Sequence, residues 1–257
     1  MIRTETICMS HIFITGASSG IGAALASQWL ADGHKVSAVA RRRGRLDEIG
    51  QDHTSFFAGE GDVTDAGRMA ELVDEATTRL GPIDVAIMNA GIYVPQDSRQ
   101  IDPAVYAQHM NVNYMGVINS LAPIVPIMAK RKSGQIAIVS SVAGWRGLPK
   151  AAAYGPTKAA LISLAESLVF DLAPQGIDVR VICPGFVDTE STAVNDYEMP
   201  GLMTADAAAT EITRGLRGDK FVIQFPKSFT RQMGLLRWLP DRKFFQFVAK
   251  RTGISLK

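Results

Sequence analysis

A glycine-rich turn between a short apolar strand and a helix constrains the fold of this chain more than any other feature. The strand covers residues 11–15, and apolar residues recur at helical spacing after residue 22. Glycines between such elements let the backbone approach a pyrophosphate, and the amides and dipole of the helix N-terminus favour its negative charge. The pattern favours a dinucleotide-binding turn over a simple capping loop, with cofactor contacts at Gly16, Ser18, Ser19, Gly20, Ile21 and Gly22.

Strand and helix patterns alternate along the rest of the chain. We predict further strands over residues 35–40, 56–59, 84–88, 136–140, 178–183 and 221–225. Between them we predict helices over residues 66–80, about 111–132 and about 154–172. This alternation is typical of a parallel sheet covered on both faces. We therefore expect a single-domain, Rossmann-type, doubly wound α/β fold of about seven strands over residues 10–225, followed by a helical extension over residues 226–257.

The end of the second predicted strand carries arginines instead of a carboxylate. NAD-preferring sites place Asp or Glu there, to bind the ribose 2′-hydroxyl. Here Ala40 is followed by three arginines, whose guanidinium groups suit a 2′-phosphate. We predict that NADP(H) is preferred, with NAD(H) as the alternative, and that Arg41 is the first and Arg42 the second candidate ligand. Asp62 and Val63, after the third strand, are candidates to meet the adenine.

A tyrosine and a lysine are spaced for acid–base chemistry. Tyr154 and Lys158 stand four residues apart, hence on one face of a helix. Ser141 closes a buried strand, at the end where open α/β sheets bind ligands. A nearby ammonium lowers a phenol pKa from about 10 towards the range useful for general acid–base catalysis. Alone, the pair would be an ordinary surface Tyr and Lys, but in this context it indicates a catalytic centre.

In their order and spacing, these motifs resemble those of the classical short-chain dehydrogenase/reductase family, over roughly residues 10–225. The matching residues are Thr15 to Gly22, Asp62, Asn89-Ala90-Gly91, Asn113, Ser141, Tyr154-x-x-x-Lys158 and Pro184-Gly185-x-x-x-Thr189. The resemblance implies an NAD(P)-dependent oxidoreductase that transfers a hydride between the nicotinamide and a carbonyl or secondary alcohol. It also implies a homodimer or homotetramer.

The resemblance assigns a role to each matching residue. Tyr154 is implied as the general acid/base, Lys158 as the residue that lowers its pKa and binds the nicotinamide ribose, and Ser141 as the holder of the substrate oxygen. Asn113 is implied to position a water that links the lysine to solvent. Asn89 is implied to brace neighbouring strands, and the remaining cofactor contacts are Ala90, Gly91, Pro184, Gly185, Val187 and Thr189.

Two positions depart from the family pattern. Ser19 stands where many NADP-binding members carry Lys or Arg, which leaves the arginines after the second strand to supply positive charge. Met88 stands where the family usually has a second asparagine, and we expect little effect because an apolar side chain suits a strand end. Ser140 could be confused with Ser141, but the spacing to Tyr154 favours Ser141.

The stretch from residue 190 to residue 203 resembles the variable substrate loop of the family. Apolar residues in and near it could line a pocket for a lipophilic ketone or alcohol. Ordinary packing under a loop explains the same residues equally well. They are Trp145, Leu148, Met199, Leu202 and Met203.

The C-terminal segment is basic and rich in apolar residues. Residues 226–257 contain eight basic residues and one acidic residue, and two short amphipathic helices separated at Pro240 fit the pattern. Such helices can lie on an anionic membrane. We favour packing on the body or on a sister subunit, because amphipathic helices usually bury one face in protein. A regulator or scaffold that binds a cofactor, with this tail on a partner or membrane, is the alternative function.

Composition and charge bear on the remaining questions of nucleic-acid binding, disulfides, metal sites and location. The net charge is +2 and we find no recognition motif, so we expect no nucleic-acid partner. Two cysteines and four unclustered histidines predict neither a disulfide framework nor a metal site. We find no apolar run of the roughly 18 residues that span a bilayer, and no signal-peptide core in residues 1–10. We therefore expect a cytoplasmic protein, with residues 1–8 as a disordered extension.

Overall fold

The computed structural model describes residues 9–51, 53–194 and 198–256. Within these ranges seven strands form one sheet, in the order β3-β2-β1-β4-β5-β6-β7, and every neighbouring pair is parallel. The strands are β1 His11–Thr15, β2 Lys35–Ala40, β3 Phe56–Glu60, β4 Val85–Met88, β5 Gly134–Val139, β6 Ile177–Pro184 and β7 Val222–Phe225. The predicted fold class is confirmed.

Helices connect the strands and continue past the last one. They are α1 Gly20–Ala31, α2 Arg43–Gly50, α3 Ala66–Leu80, α4 Pro103–His109, α5 Gly116–Arg131, α6 Gly155–Leu172, α7 Ala205–Leu216, α8 Lys227–Leu236 and α9 Asp241–Thr252. A wide π-helical turn, Met110–Met115, joins α4 to α5, and short 3-10 turns follow β5 (Val142–Gly144) and α6 (Ala173–Gln175).

The sheet separates two apolar cores. Strand side chains alternate between them, so Phe13 belongs to one core while Ile12 and Ile14 belong to the other. Helices α3, α5 and α6 cover the first face, and helices α1, α2 and α7 cover the second. The strands are buried on both sides, as expected for parallel strands between helical layers.

The strand order reverses between β1 and β4, because the chain proceeds outward from β1 to β3 and then returns to the other side of β1. Open α/β sheets bind ligands in the crevice at the carboxyl ends of the strands next to such a reversal. The glycine-rich turn after β1 and the Asn89-Ala90-Gly91 segment after β4 flank this crevice.

Strand positions were predicted well and several helices were not. The predicted strands agree with the observed ones to within two residues at each end. Helices α2, α4 and α7 were absent from the prediction. The apolar periodicity of α2 and α4 is weak, because each buries a single side chain, Leu46 and His109. Helix α7 does have an amphipathic pattern that was overlooked, with Ala208, Ile212 and Leu216 buried on one face.

The continuous helical stretch Pro103–Arg131 differs from the expectation that no segment could span a bilayer. Among the described residues it is long and apolar enough for this by length and mean hydropathy, because averaging tolerates the asparagines that interrupt the apolar run. One such helix is weak evidence for a membrane span. Its inner side chains pack in the first core, at Val117, Leu121, Ile124 and Met128, as in a layer helix of the fold.

The tail forms the two predicted helices, α8 and α9, on either side of Pro240. Met233, Leu236 and Phe244 form a small core with Trp145 and Leu148 of the body. Arg146 strengthens this contact: its Nη2 donates to Asp241 at 2.8 Å and its guanidinium lies 4.1 Å from the Phe244 ring centre. One face of the tail therefore packs on the body, while Trp238 stays 81% exposed.

Candidate active site

The glycine-rich turn is fitted tightly against the end of β4. Gly16 has φ +68°, which side-chain-bearing residues rarely adopt, and a Cβ there would lie 2.7 Å from Ala90 Cα. Asn89 Nδ2 donates to the carbonyls of Thr15 at 3.0 Å and Gly16 at 3.1 Å. Asn89 thus links the end of β4 to the end of β1.

Helix α1 begins at Gly20, at the mouth of the crevice. The N-cap residue Ser19 makes no side-chain capping bond to the first turn, so it leaves the amides of that turn to another acceptor. An anion such as a pyrophosphate suits this position, because the amides and the helix dipole both favour negative charge. The predicted contacts Gly20, Ile21 and Gly22 form this first turn, and Ser18 and Ser19 precede it.

Arg42, rather than Arg41, contacts the glycine-rich turn. Arg42 donates from Nε to Ser18 Oγ at 3.2 Å and from Nη2 to Ser19 Oγ at 2.8 Å. Its Nη1 donates to Glu190 Oε2 at 2.8 Å. Arg41 is largely exposed and lies 3.9 Å from an Asp62 carboxylate oxygen. Arg42, the second candidate, is thus the arginine that contacts the glycine-rich turn, and the ranking of the two as phosphate ligands stays a prediction.

Asp62 and Val63 follow β3, at the carboxyl edge of the sheet, as the glycine-rich turn follows β1. Asp62 Oδ1 accepts hydrogen bonds from the backbone N–H of Thr64 at 2.9 Å and from its hydroxyl at 2.8 Å. The Val63 side chain is buried in the first core, and its carbonyl accepts from Asn119 Nδ2 at 2.9 Å. Asp62 is the one of the two whose side chain is open to solvent.

Ser141 and Tyr154 meet beyond the carboxyl end of β5. Ser141 begins the 3-10 turn that follows the strand, and its Oγ accepts from Ala143 N at 3.1 Å. Tyr154 is the residue before α6. A side-chain hydrogen bond joins Ser141 to Tyr154, and the Tyr93 ring packs edge-on against the Tyr154 ring with 5.1 Å between centres. The two hydroxyls predicted to act on a substrate oxygen are therefore adjacent.

Lys158 lies one turn further along α6 and is 3% exposed. Its Nζ donates to Val139 O at 2.9 Å and lies 5.5 Å from the centre of the Tyr154 ring. Burial lowers the pKa of Lys158 to about 8, because the ammonium has little water around it. The ammonium faces the end of β5 as well as the tyrosine.

The role predicted for Lys158, lowering the pKa of Tyr154, stays a prediction, because burial of the hydroxyl has the largest effect on this pKa. Burial of the hydroxyl raises the pKa of Tyr154 to about 12, and the hydrogen bond with Ser141 opposes this increase only in part. The reason is the low polarity around the phenol, which disfavours the phenolate. Tyr154 is therefore a protonated phenol at neutral pH in the free protein.

The turn after β5 and helix α6 are held together by close backbone contacts. Ser140 is buried and its Oγ donates to the Lys158 carbonyl at 2.7 Å. A Cβ at Gly144 would lie 2.7 Å from the Lys158 carbonyl carbon, so the turn can approach the helix only with glycine there. Ser140 thus has a structural bond, which leaves Ser141 as the hydroxyl beside Tyr154.

Asn113 lies in the wide helical turn before α5 and is fully buried. Its Oδ1 accepts from Ile92 N at 2.7 Å, and its Nδ2 donates to Ile92 O at 3.1 Å and to Thr157 Oγ1 at 3.0 Å. These bonds tie the segment after β4 to the first turn of α6, which carries Lys158. A Cβ at Gly91 would lie 3.2 Å from Asn113 Oδ1 and 3.5 Å from Lys158 Nζ, so both polar groups border this glycine.

The segment after β6 closes the opposite side of the crevice. Gly185 N donates to Phe225 O at 2.8 Å, directly after Pro184. Val187 is buried and forms an isolated bridge with Met203. The Thr189 side chain packs on Gly20, where a Cβ would lie 2.8 Å from Thr189 Cγ2. These positions bring the predicted nicotinamide contacts beside the glycine-rich turn.

The apolar residues proposed for a substrate pocket divide into two groups. Trp145 and Leu148 pack against the tail, and Phe186 lies 5.5 Å from the Phe229 ring of α8. Met203 packs on the second core, whereas Leu202 is exposed. Met199 lies in the same loop, of which residues 195–197 fall outside the described part of the chain.

Sequence reasoning missed residues whose importance depends on folding. Thr157 was not singled out, and Ser140 was considered only as an alternative to Ser141, because neither belongs to a motif of its own. Glu190 lies far from Arg42 in sequence, so only the structure shows that they pair. Cys183 is buried near Lys158, and burial raises the pKa of its thiol to about 12.

Comparison with known proteins decides the family. Residues 10–199 match the family model described as short chain dehydrogenase. The chain belongs to this family. A relative from Myxococcus xanthus named as an uncharacterized oxidoreductase is 35% identical over 237 residues, which cover 90% of this chain and 93% of the relative. The expected short-chain dehydrogenase membership is confirmed, and the chain is an oxidoreductase of that family.

Solved structures show the same fold at lower identity. The structure titled ElxO with NADP bound is 23% identical, with a TM-score of 0.79 over 87% of this chain and all of that one. A 3-ketoacyl-(acyl-carrier-protein) reductase from Brucella melitensis complexed with NADH is 23% identical, with a TM-score of 0.79 over 85% of this short-chain dehydrogenase and 97% of that protein.

Proposed function

We propose that this short-chain dehydrogenase is an NADP(H)-dependent oxidoreductase acting on a carbonyl or secondary alcohol, with Tyr154 as general acid/base. The observation that carries the proposal is the hydrogen bond between Ser141 and Tyr154 beside the carboxyl end of β5, with Lys158 one helical turn away. A scaffold that only bound the cofactor would gain nothing from this grouping of two hydroxyls and a buried ammonium.

The chemistry assigned to the residues follows from their protonation. A bound nicotinamide supplies the hydride in reduction and accepts it in oxidation. Ser141 donates a hydrogen bond to the substrate oxygen and holds it beside Tyr154. Because the pKa of Tyr154 is raised to about 12, its phenol carries a proton at neutral pH and can give it to the oxygen as negative charge develops there.

The crevice residues fit a dinucleotide with a 2′-phosphate. The first turn of α1 suits the pyrophosphate, and Gly16 lets the chain pass close to Ala90. Arg42 places its guanidinium beside Ser18 and Ser19 of the glycine-rich turn, where a positive group can hold a 2′-phosphate. This supports NADP(H) as the preferred cofactor and NAD(H) as a weaker one. The NADP and NADH in the two related structures agree with both possibilities.

We propose a lipophilic ketone or alcohol as the substrate class. Phe186 and Phe229 meet at 5.5 Å beside the segment after β6, and Trp145 follows the turn that Ser141 begins. Apolar aromatic side chains on the segments that follow β5 and β6 favour a substrate with an apolar body and one oxygen. The tail residue Phe229 belongs to this cluster, which supports treating residues 226–257 as part of the same domain.

We also propose a homodimer or homotetramer. Phe170, on α6, is 79% exposed, and Met115, just before α5, is also exposed. Exposed apolar residues on two neighbouring helices are suited to a self-complementary interface. Phe170→Glu is expected to shift the protein to a smaller species in light scattering after gel filtration, and an unchanged mass would contradict this interface.

The function is tested by screening ketones and secondary alcohols with the wild-type protein, NADPH or NADH, and the oxidised cofactors. Nicotinamide absorbance reports turnover. We expect turnover of at least one apolar ketone, with NADPH used better than NADH. Cofactor binding without turnover of any carbonyl or alcohol would favour the scaffold function, and the absence of binding of either cofactor would contradict the proposal.

A further inference from the structure

The loop after β6 places a carboxylate in the proposed phosphate site. Arg42 Nη1 donates to Glu190 Oε2 at 2.8 Å, and Arg45 Nη2 lies 4.0 Å from Glu190 Oε1. Ser19 also forms a side-chain hydrogen bond with Glu190. The carboxylate of Glu190 is therefore surrounded by the positive and hydrogen-bonding groups that an anionic ligand would use.

Arg42 cannot bind the Glu190 carboxylate and a second anion at once without weakening its contact to one of them. Its three nitrogens are directed to Ser18, Ser19 and Glu190. A 2′-phosphate that approaches this guanidinium must either displace the Glu190 carboxylate or bind the guanidinium close to that carboxylate. The hydrogen bond from Arg42 holds the pKa of Glu190 below its usual value, so Glu190 is negatively charged at neutral pH. Two negative groups at one guanidinium repel each other.

We propose that Glu190 is a specificity-determining residue that competes with the 2′-phosphate of NADP(H) for Arg42. Glu190 occupies the site in the free enzyme and leaves it when the phosphate binds. The proposal rests on the function proposed above and adds what sets the preference between the two cofactors. NAD(H) has no 2′-phosphate, so its binding does not require Glu190 to leave.

The loop can release Glu190 without unfolding at its base. Thr192 Oγ1 donates to Val187 O at 2.6 Å and contacts Thr189 O at 3.1 Å, and these bonds close a tight turn around the residue. Val187 is anchored separately by its bridge to Met203. Only the Glu190 side chain has to rotate, because neither set of bonds involves it.

The size of the effect follows from the exposure of the pair. The side chains of Arg42 and Glu190 are 46% and 54% exposed. Ion pairs exposed to this degree are weak, and losing one changes an equilibrium by about two- to five-fold. Removal of the competing carboxylate should therefore strengthen NADPH binding by about that factor, and the gain should shrink as salt screens the charges.

The experiment compares the affinities of NADPH and NADH for wild type, Glu190→Gln and Glu198→Gln, measured by isothermal titration calorimetry at low and high salt. Glu198 lies in the same loop, so its variant controls for the loss of one negative charge. We expect Glu190→Gln to bind NADPH about two- to five-fold more tightly at low salt, with NADH affinity unchanged and Glu198→Gln like wild type.

Each other outcome overturns the inference. An equal change for NADPH and NADH, or no change, would show that Glu190 does not compete with the phosphate, while wild-type binding of NADPH would leave the proposed function intact. The same gain in Glu198→Gln would assign the effect to overall charge. Failure of the wild-type protein to bind either nucleotide would overturn both the inference and the proposed function.

Discussion

We predict that Asn113 contributes more to the free energy of unfolding than a residue with one side-chain hydrogen bond does. It is fully buried and makes three hydrogen bonds, two to the backbone of Ile92 and one to Thr157. Asn113→Ala removes all three and leaves buried partners without a replacement. At about 1 kcal/mol for each bond, with a further penalty for an unsatisfied buried group, we expect a loss of about 3–4 kcal/mol in the free energy of unfolding.

The measurement is urea unfolding followed by circular dichroism, on wild type, Asn113→Ala and Asn119→Ala. Asn119 is a matched control because it makes one side-chain bond, from Nδ2 to Val63 O at 2.9 Å. We expect it to lose about 1 kcal/mol. The reasoning is refuted if the two variants lose similar free energies, because the three-bond network around Asn113 would then carry no additional stability.

Three further predictions use other parts of the structure. Arg42→Ala should weaken NADPH binding more than Arg41→Ala, measured by nicotinamide fluorescence, because Arg42 contacts the glycine-rich turn; the reverse order would restore Arg41 as the main ligand. Phe244→Ala should lower the free energy of unfolding by about 3–5 kcal/mol, because Phe244 is fully buried. The control Phe245→Ala should lose far less free energy of unfolding, because Phe245 is 51% exposed. Equal losses in the two variants would show that α9 does not pack as described. Burial lowers the pKa of His11, so the folded state favours the neutral ring. Its stabilisation should be complete above about pH 6.5 and fall as the pH decreases below it; a stability that rises on acidification through this range would contradict the assignment.

The positions of the strands could be predicted from the sequence, since they depend on local patterns. The apolar runs from residue 11 to residue 225 identify the strands, and the family motifs fall at their carboxyl ends. Ser141 and Tyr154 are 13 residues apart in the sequence. Only the topology of β5 and α6 brings them together, and the family resemblance supplied that topology.

Other features depend on contacts between distant segments and had no local signal. The Arg42–Glu190 pair joins residues 148 positions apart. The pKa of Tyr154 depends on how much water reaches its hydroxyl, which spacing to Lys158 does not report. Similarly, the packing of Trp145 and Leu148 against the tail depends on α8 and α9 folding back over them, which no local pattern shows.

The tail has features of both kinds, some predicted from local patterns and some dependent on distant contacts. Its two helices and the break at Pro240 were predicted from the periodicity of apolar residues. The charge of the tail did not decide whether its apolar face packs on protein or lies on a membrane. The contacts of Met233, Leu236 and Phe244 with the body favour packing for one face. Trp238 and Leu235 are exposed on the tail and stay open to another partner. Sedimentation with anionic vesicles at low salt distinguishes the two, and we expect the protein to stay in the supernatant.

The most direct test of the proposed mechanism compares wild type with Tyr154→Phe in the same preparation, for NADPH affinity and for turnover of a ketone found in the screen. The change removes one hydroxyl and leaves the ring, so packing against Tyr93 is preserved. We expect NADPH affinity to change little and turnover to fall by about 100-fold or more. Turnover close to that of wild type would contradict Tyr154 as the proton donor.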